Sequence, residues 1–165
     1  MSILRRHHHG FTLIEMLVTS AVAFLVVGGA IASFSGFTDR QEVLNTAKEL
    51  QQVFRSAQSK ARVRDVPVGC VSLLSYQVSL TSSSATLKAI CGTGGPYTIR
   101  TYTFPSGVTL QTPTESTLQF TTLENGVQTS ANVPLPNTVS YVVTNGAGIS
   151  FTFNVSPTGT ISNVQ

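Results

Sequence analysis

The first strong pattern in the chain is an apolar run, Phe11–Phe37, in which Glu15 is the only charged residue. As a helix rising about 1.5 Å per residue, this run is longer than a hydrocarbon core of about 30 Å, which predicts a membrane span. Residues 1–10 are basic, whereas Asp39 and Arg40 on the other flank are balanced. This asymmetry predicts a cytoplasmic N-terminus and an extracytoplasmic remainder.

A second pattern follows directly, because apolar residues recur after Asp39 at spacings of 4, 3, 4, 3 and 4. This spacing places them on one narrow face of an amphipathic helix, and the polar side chains between them, Gln51 included, are expected to face water. No proline interrupts residues 11–66, so one helix is predicted from Phe11 to about Arg64, with Pro67 setting its end. The narrow apolar stripe consists of Val43, Ala47, Leu50, Phe54, Ala57 and Ala61.

From Val68 the period of the pattern changes to two, and turn residues follow at regular intervals, which predicts short antiparallel strands. Asn145-Gly146 is a strong hairpin signal, Glu124-Asn125-Gly126 is a second turn signal, and Pro157-Thr158-Gly159 is a third. The predicted strands are Gly69–Leu73, Tyr76–Leu80, Ala85–Cys91, Tyr97–Phe104, Thr117–Leu123, Val139–Thr144, Ile149–Val155 and Thr160–Val164.

These patterns together predict an α+β fold, in which the C-terminal half of a long N-terminal helix packs on an antiparallel β-sheet domain. The expected organisation is a short leader at 1–10, a membrane-spanning helix at 11–37, its amphipathic continuation at 38–66 and an extracytoplasmic β-domain at 67–165. Tyr76, Tyr97, Tyr102 and Phe104 are interpreted as sheet core and cross-strand pairs.

Charge is scarce and narrows the range of functions. The formal net charge is +3, but two of the ten basic side chains lie in the leader, and without them it falls to +1. This balance gives no electrostatic case for nucleic acid. A cluster of Arg55, Lys60, Arg62 and Arg64 is interpreted chiefly as a solvated helix face near the helix C-terminus, where the dipole favours cations.

The β-domain contains both cysteines of the chain, Cys70 and Cys91. In an exported domain an even pair is typical of a disulfide, and two ligands without histidine are too few for a metal site. The three histidines, His7–His9, all lie in the leader and cannot converge on one metal. With no Ser-His-Asp set, Cys-His pair, carboxylate cluster or phosphate loop, the sequence indicates a protein that is not an enzyme and needs no cofactor.

Glu15 requires an explanation of its own, since a carboxylate within a bilayer costs about 3 kcal/mol. One alternative is that Glu15 snorkels to the interface, which lies close to it if the helix slides. The other is that a cation compensates it. If the leader were cut before Phe11, the new α-amine of the same chain or of a neighbour would be such a cation.

The segment Gly10-Phe11-Thr12-Leu13-Ile14-Glu15, after a short basic leader, resembles the prepilin junction of type IV pilins and type II secretion pseudopilins. The resemblance implies that a membrane-embedded prepilin peptidase cleaves after Gly10 and N-methylates Phe11. It also implies an assembly role for Glu15, with Thr12 beside it, in which the carboxylate sets register by meeting a neighbouring subunit's amine. The implied partners are the peptidase, other pilin or pseudopilin subunits and the inner-membrane assembly platform, and the implied location is a single pass in the inner membrane, then a filament.

Further along, Leu50–Arg62 followed by Pro67-Val68-Gly69-Cys70, and the ending Ile149–Gly159, are similar to the minor pseudopilins of the GspH/FimT type. Some members of that group bind DNA through a basic patch near the C-terminus. Here Gly159–Asn163 contains no Lys or Arg, so DNA binding by that route is not expected.

Three alternatives stay open at the level of sequence. Ala30-Ile31-Ala32 before Ser33 has the pattern of a secretory cleavage site, which would release a free β-domain. The second alternative is that the chain is a binding module, secreted or at a pilus tip, that recognises DNA, a surface or cargo. The third is that it is a major rather than a minor pilin.

Overall fold

The computed structural model describes residues 11–122 and 126–165, and within the helix the side chains of residues 30–35 are not described. The chain divides into two compact units, Met1–Thr38 and Asp39–Gln165, each of which is treated by itself. The leader at 1–10 lies outside the described residues. A helix, α1, is followed in the described part of the chain by eight strands.

The bounds of these elements are α1 Leu13–Val63, β1 Leu73–Leu80, β2 Ser84–Cys91, β3 Pro96–Thr103, β4 Val108–Leu110, β5 Thr117–Thr121, β6 Val127–Thr129, β7 Val139–Asn145 and β8 Ser150–Val155. All strand pairs are antiparallel. They form a five-stranded sheet in the order β3-β2-β1-β5-β6 and a three-stranded sheet in the order β4-β7-β8. The fold is therefore α+β, with a helix packed on antiparallel sheet, as the sequence predicts.

The narrow apolar stripe of α1 is buried at every position, which confirms the prediction from its spacing. Phe54 is the central contact because its ring meets side chains of both sheets. Its centroid lies 6.4 Å from Phe120 on β5, 5.0 Å from Tyr141 on β7 and 5.6 Å from Phe153 on β8. One side chain of α1 thus joins the two sheets into a single core.

The C-terminal end of α1 is defined by a left-handed residue rather than by Pro67. Arg64 has φ 51°, its N–H donates to the carbonyl of Ala61 (3.2 Å), and the N–H of Asp65 donates to the carbonyl of Lys60 (3.1 Å). This pair of bonds is a Schellman motif, and it closes the helix at Val63, within one residue of the predicted end.

Two predicted strands are wrong. Gly69–Leu73 is mostly a turn, since Cys70 N–H bonds to the carbonyl of Pro67 (3.0 Å) and Gly69 has φ +89°; β1 begins only at Leu73. Thr160–Val164 makes only a single bridge, Val155 to Ile161. The Ser162 hydroxyl, not its carbonyl, accepts the N–H of Asn154 (2.8 Å), so a regular ladder with β8 cannot form.

The structure also contains two strands that the sequence patterns do not predict, β4 and β6, each three residues long. Asn145-Gly146 does form the β7–β8 turn, closed by the Gly148 N–H donating to the Asn145 carbonyl at 3.1 Å, and Pro157–Gly159 is a turn as expected. The predicted turn at Glu124 lies within 123–125, outside the described residues. Tyr76 and Phe104 are buried, whereas Tyr97 and Tyr102 are half-buried.

Candidate functional site

The first candidate site is the start of α1, where Thr12 caps the helix. The Glu15 N–H donates to the Thr12 carbonyl (3.1 Å) and to the Thr12 hydroxyl (3.3 Å). Thr12-Leu13-Ile14-Glu15 thus has the spacing of a capping box, in which a hydroxyl satisfies a first-turn donor. Phe11 directly precedes this cap and is 74% exposed. The structure brings Phe11, Thr12 and Glu15 together within one turn; Gly10 lies outside the described residues.

The Glu15 carboxylate is exposed and makes no ion pair with any described residue. Residues 11–38 contain no Lys, Arg or His, so this stretch of helix has no cation of its own. The helix dipole favours a carboxylate in the first turn, but it supplies only a partial charge. A full compensating charge has to come from an amine at the chain end, from the leader or from another molecule.

Large, exposed apolar side chains lie on all sides of α1 between Leu13 and Val27. Leu13 is 84%, Phe24 79% and Leu25 78% exposed within the chain itself. The hydroxyls in this stretch bond to the helix backbone, Thr19 to the Glu15 carbonyl (2.8 Å) and Ser20 to the Leu17 carbonyl (2.9 Å). A helix that is apolar all round with its hydroxyls satisfied internally is suited to an apolar environment or to a helix bundle.

Across the described residues, no helix is both long and apolar enough to qualify as a membrane span. The predicted span Phe11–Phe37 includes residues 30–35, whose side chains lie outside the description.

The second candidate site is the loop between α1 and β1. Cys70 and Cys91 form a disulfide with 5.7 Å between their Cα atoms, which confirms the predicted pairing. The Tyr97 hydroxyl donates to the Gly69 carbonyl (2.8 Å), and the Gly92 N–H donates to the Ser72 carbonyl (2.7 Å). The loop is therefore fixed to the ends of β2 and β3.

The third candidate site is the C-terminal segment 159–163, which contains no Lys or Arg. Gln58 donates to the Gly159 carbonyl (2.8 Å), Arg55 to the Asn163 side-chain oxygen (3.2 Å), and Gln51 to the Ser162 carbonyl. Gln51 is buried, so the expectation that it faces water is wrong. Its spacing from Arg55 and Gln58, i, i+4 and i+7, indicates a second face of the helix, one that binds the segment 159–163 rather than water.

Catalytic and metal-binding groups are sparse in the part of the chain that the structure describes. No three of its His, Cys, Asp or Glu side chains lie close enough to hold a metal ion. Burial raises the pKa of the Tyr141 hydroxyl, which donates to the Glu115 carbonyl (3.1 Å) and is a core group. The Lys60 pKa is raised by its hydrogen bond to Asp65.

The chain matches the family model described as the prokaryotic N-terminal methylation motif over residues 5–31. No curated protein and no solved structure matches significantly. The match covers Phe11, Thr12 and Glu15, and it supports a type IV pilin or pseudopilin subunit, a structural rather than catalytic kind of protein.

Proposed function

We propose that this chain is a pilin-like subunit that assembles into a type IV pilus or a type II secretion pseudopilus after its leader is removed. The observation that carries the proposal is the methylation motif at the head of a helix whose apolar side chains are exposed all round. The β-domain, in contrast, covers its own core. Such a chain has one region that folds by itself and one that requires a membrane or neighbouring helices.

In the proposed mechanism, the apolar helix at 11–37 holds the precursor in the inner membrane with its N-terminus in the cytoplasm. A prepilin peptidase cleaves after Gly10 and N-methylates Phe11, which creates a cation one turn from Glu15. An unpaired carboxylate in an apolar surrounding costs about 3 kcal/mol, so pairing with the amine of a neighbouring subunit favours one register over others. Thr12 assists by capping the first turn of the helix, which fixes the backbone at Glu15.

We further propose that the subunit is a minor one of the GspH/FimT type, acting with other pilin subunits and an inner-membrane assembly platform. Support comes from Leu50–Arg62 and Pro67–Cys70, where the sequence similarity falls on the buried helix stripe and the disulfide loop. DNA binding is not part of the proposal, because the segment 159–163 contains no cation and its backbone is bonded by Gln51 and Gln58.

The direct test is the intact mass and N-terminal sequence of the full chain recovered from native membranes. A chain that begins at N-methylated Phe11 is the expected result. A chain that begins at Ser33 would identify a secreted β-domain and contradict assembly, and a chain that retains Met1 in assembled material would contradict processing.

The role of Glu15 is tested by Glu15→Val. We expect normal membrane insertion and normal cleavage, but recovery in sheared filaments reduced by about tenfold or more, because the register-setting pair is lost. Glu49→Val is the matched control, since Glu49 lies on the exposed face of the same helix, and it is expected to leave recovery unchanged. Equal recovery of the two variants would remove Glu15 from the mechanism.

A further inference from the structure

Two polar side chains of the five-stranded sheet lie on the face opposite its core. On β1, Tyr76 is fully buried in the core, so its neighbour Ser75 lies on the other face. On β5, Leu118 and Phe120 are core residues, so Gln119 between them also lies on that other face. Serine and glutamine at such positions are ordinarily solvated.

Both side chains are nevertheless buried, since Ser75 is 3% and Gln119 is 7% exposed. They line a cavity of about 340 Å³, which we call the amide pocket. This volume lies in the range of small-molecule sites, about 300–1,000 Å³. The other lining residues are Leu74, Ile90, Thr121, Gln128 and Asn132.

Gln119 has hydrogen-bond donors for a ligand in the amide pocket. Its Oε1 accepts a bond from the Ser75 hydroxyl at 3.0 Å, which fixes the orientation of the carboxamide. A carboxamide nitrogen has two N–H donors, and the Gln119 Nε2 donates to no described residue. Because a buried donor without a partner is costly, the pocket favours a ligand that brings an acceptor oxygen.

Asn132 brings a second carboxamide to the amide pocket, from the turn after β6. Its φ is 59°, and its N–H donates to the Thr129 carbonyl at 3.1 Å. The turn is therefore formed by the backbone, and its left-handed residue could equally be glycine. The Asn132 carboxamide makes no hydrogen bond with a described residue, so it is available to a ligand.

The lining of the amide pocket selects a neutral, hydroxylated ligand. None of the described lining residues is charged, so neither an anion nor a cation would find a counter-charge there. A purely apolar ligand would leave the Gln119 nitrogen unpaired. Carboxamides donate and accept hydrogen bonds, as sugar hydroxyls do, while Leu74 and Ile90 supply aliphatic surface for the C–H groups of a ring.

We propose that the amide pocket binds one ring of a neutral saccharide, with Gln119 donating to one hydroxyl and Asn132 bonding to another. An apolar cavity of about 150 Å³ admits benzene, so one of about 340 Å³ has room for a six-membered ring with its hydroxyls. Sheets bind extended peptides as added strands at an edge, whereas β1 and β5 are inner strands. The inference goes beyond the proposed function and depends on the pocket alone.

The test applies the full chain, solubilised in a detergent without a sugar headgroup, to an array of immobilised oligosaccharides. The array contains malto-, cello- and chito-oligosaccharides beside sialylated and sulfated glycans. The expected result is binding to at least one neutral oligosaccharide, with competition by the same sugar free in solution. Binding to the anionic glycans alone, or to no member of the array, would overturn the proposal.

Gln119→Glu tests the donor at the floor of the pocket. It keeps an oxygen that accepts from Ser75 but removes the nitrogen, so we expect binding to weaken about tenfold or more. Gln77→Glu is the matched control, because Gln77 pairs with Gln119 across the sheet but lies outside the amide pocket. Lys88, the cross-strand partner of Gln77 on β2, compensates the new charge, and binding equal to the parent is expected. Equal binding by the two variants would contradict the proposal.

Asn132→Gly separates binding from folding. Glycine adopts the left-handed conformation without strain, so the unfolding temperature is expected to equal or exceed that of the parent. Binding is expected to fall about threefold to tenfold, because one carboxamide is lost. A variant that binds as tightly as the parent would contradict the assignment of Asn132. None of these changes touches the leader junction, so N-terminal processing tests the proposed function separately.

Discussion

Residues 13–38 and 39–63 belong to the same α-helix but differ in how their apolar side chains are covered. In the first stretch Phe24 is 79% exposed, whereas in the second stretch Phe54 is fully buried. The difference follows from sequence, because the second stretch restricts its apolar residues to one stripe and the first distributes them around the helix. A shared secondary structure therefore does not imply a shared source of stability.

The comparison separates two kinds of mutational effect. Changes in 39–63 act on the free energy of unfolding of the β-domain, which covers that stretch. Changes at the exposed apolar side chains of 13–29 act on association, since the chain itself does not cover those side chains. The four predictions below use stability measured by thermal unfolding of the detergent-solubilised full chain.

The largest expected effect is that of Phe54→Ala, which removes the ring shared by both sheets. A loss of about 3–5 kcal/mol is expected from the buried volume removed. Phe24→Ala deletes the same ring from the exposed stretch and is expected to change β-domain stability by less than about 0.5 kcal/mol. Similar losses for both variants would break the comparison.

The next effect in size is that of removing the disulfide with Cys70→Ser and Cys91→Ser together. The bond closes a sequence separation of 21, for which about 3 kcal/mol is expected. Reduction of the native chain by dithiothreitol should lower the unfolding temperature to the same value. A variant as stable as the parent would show that hydrogen bonds alone hold the loop between α1 and β1.

A smaller loss is expected for Gln51→Ala, about 1–2 kcal/mol, because the Ser162 carbonyl loses its donor at a half-buried position. The neighbouring exposed residue supplies the control, since Gln52→Ala is expected to be neutral. If the two alanine variants have equal stability, the polar face of α1 contributes nothing to holding the C-terminal segment.

The smallest expected effect is a gain. Arg64 occupies a left-handed conformation that glycine adopts without strain, so Arg64→Gly should stabilise the domain by about 0.5–1 kcal/mol. Arg62→Gly, inside the last turn of α1, should instead cost about 1 kcal/mol. A gain in stability at residue 64 and a loss at residue 62 would confirm that α1 ends at Val63, directly before Arg64.

The sequence predicts those parts of the fold that depend on local periodicity. The helix and its buried stripe follow from spacing and from the absence of proline, and the longer strands follow from their alternating pattern. The end of the helix, predicted from Pro67, lies within one residue of the observed end at Val63. The strands β4 and β6 have only three residues each, too few to establish an alternating pattern. Thr160–Val164 has a strand-like pattern, but the Ser162 hydroxyl intercepts a ladder bond, which is a tertiary effect.

Local sequence patterns predict the candidate site only in part as well. Glu15 is readable because it is the only charged residue in the apolar run at 11–37, whereas the cap that Thr12 supplies is seen only in the structure. The role of Gln51 is not readable, since its partner lies 111 residues away and an amide on a helix is usually solvated.

The bonds from α1 to the C-terminal segment also set an order of events during synthesis. Gln51, Arg55 and Gln58 bind residues that lie 101 to 111 positions later in the chain. Contacts of such long sequence separation form late, and they cannot form before the last residues have been translocated. The domain therefore cannot complete its folding while residues 159–163 are still in transit, and a chain truncated before Gly159 would expose the helix face that those residues cover.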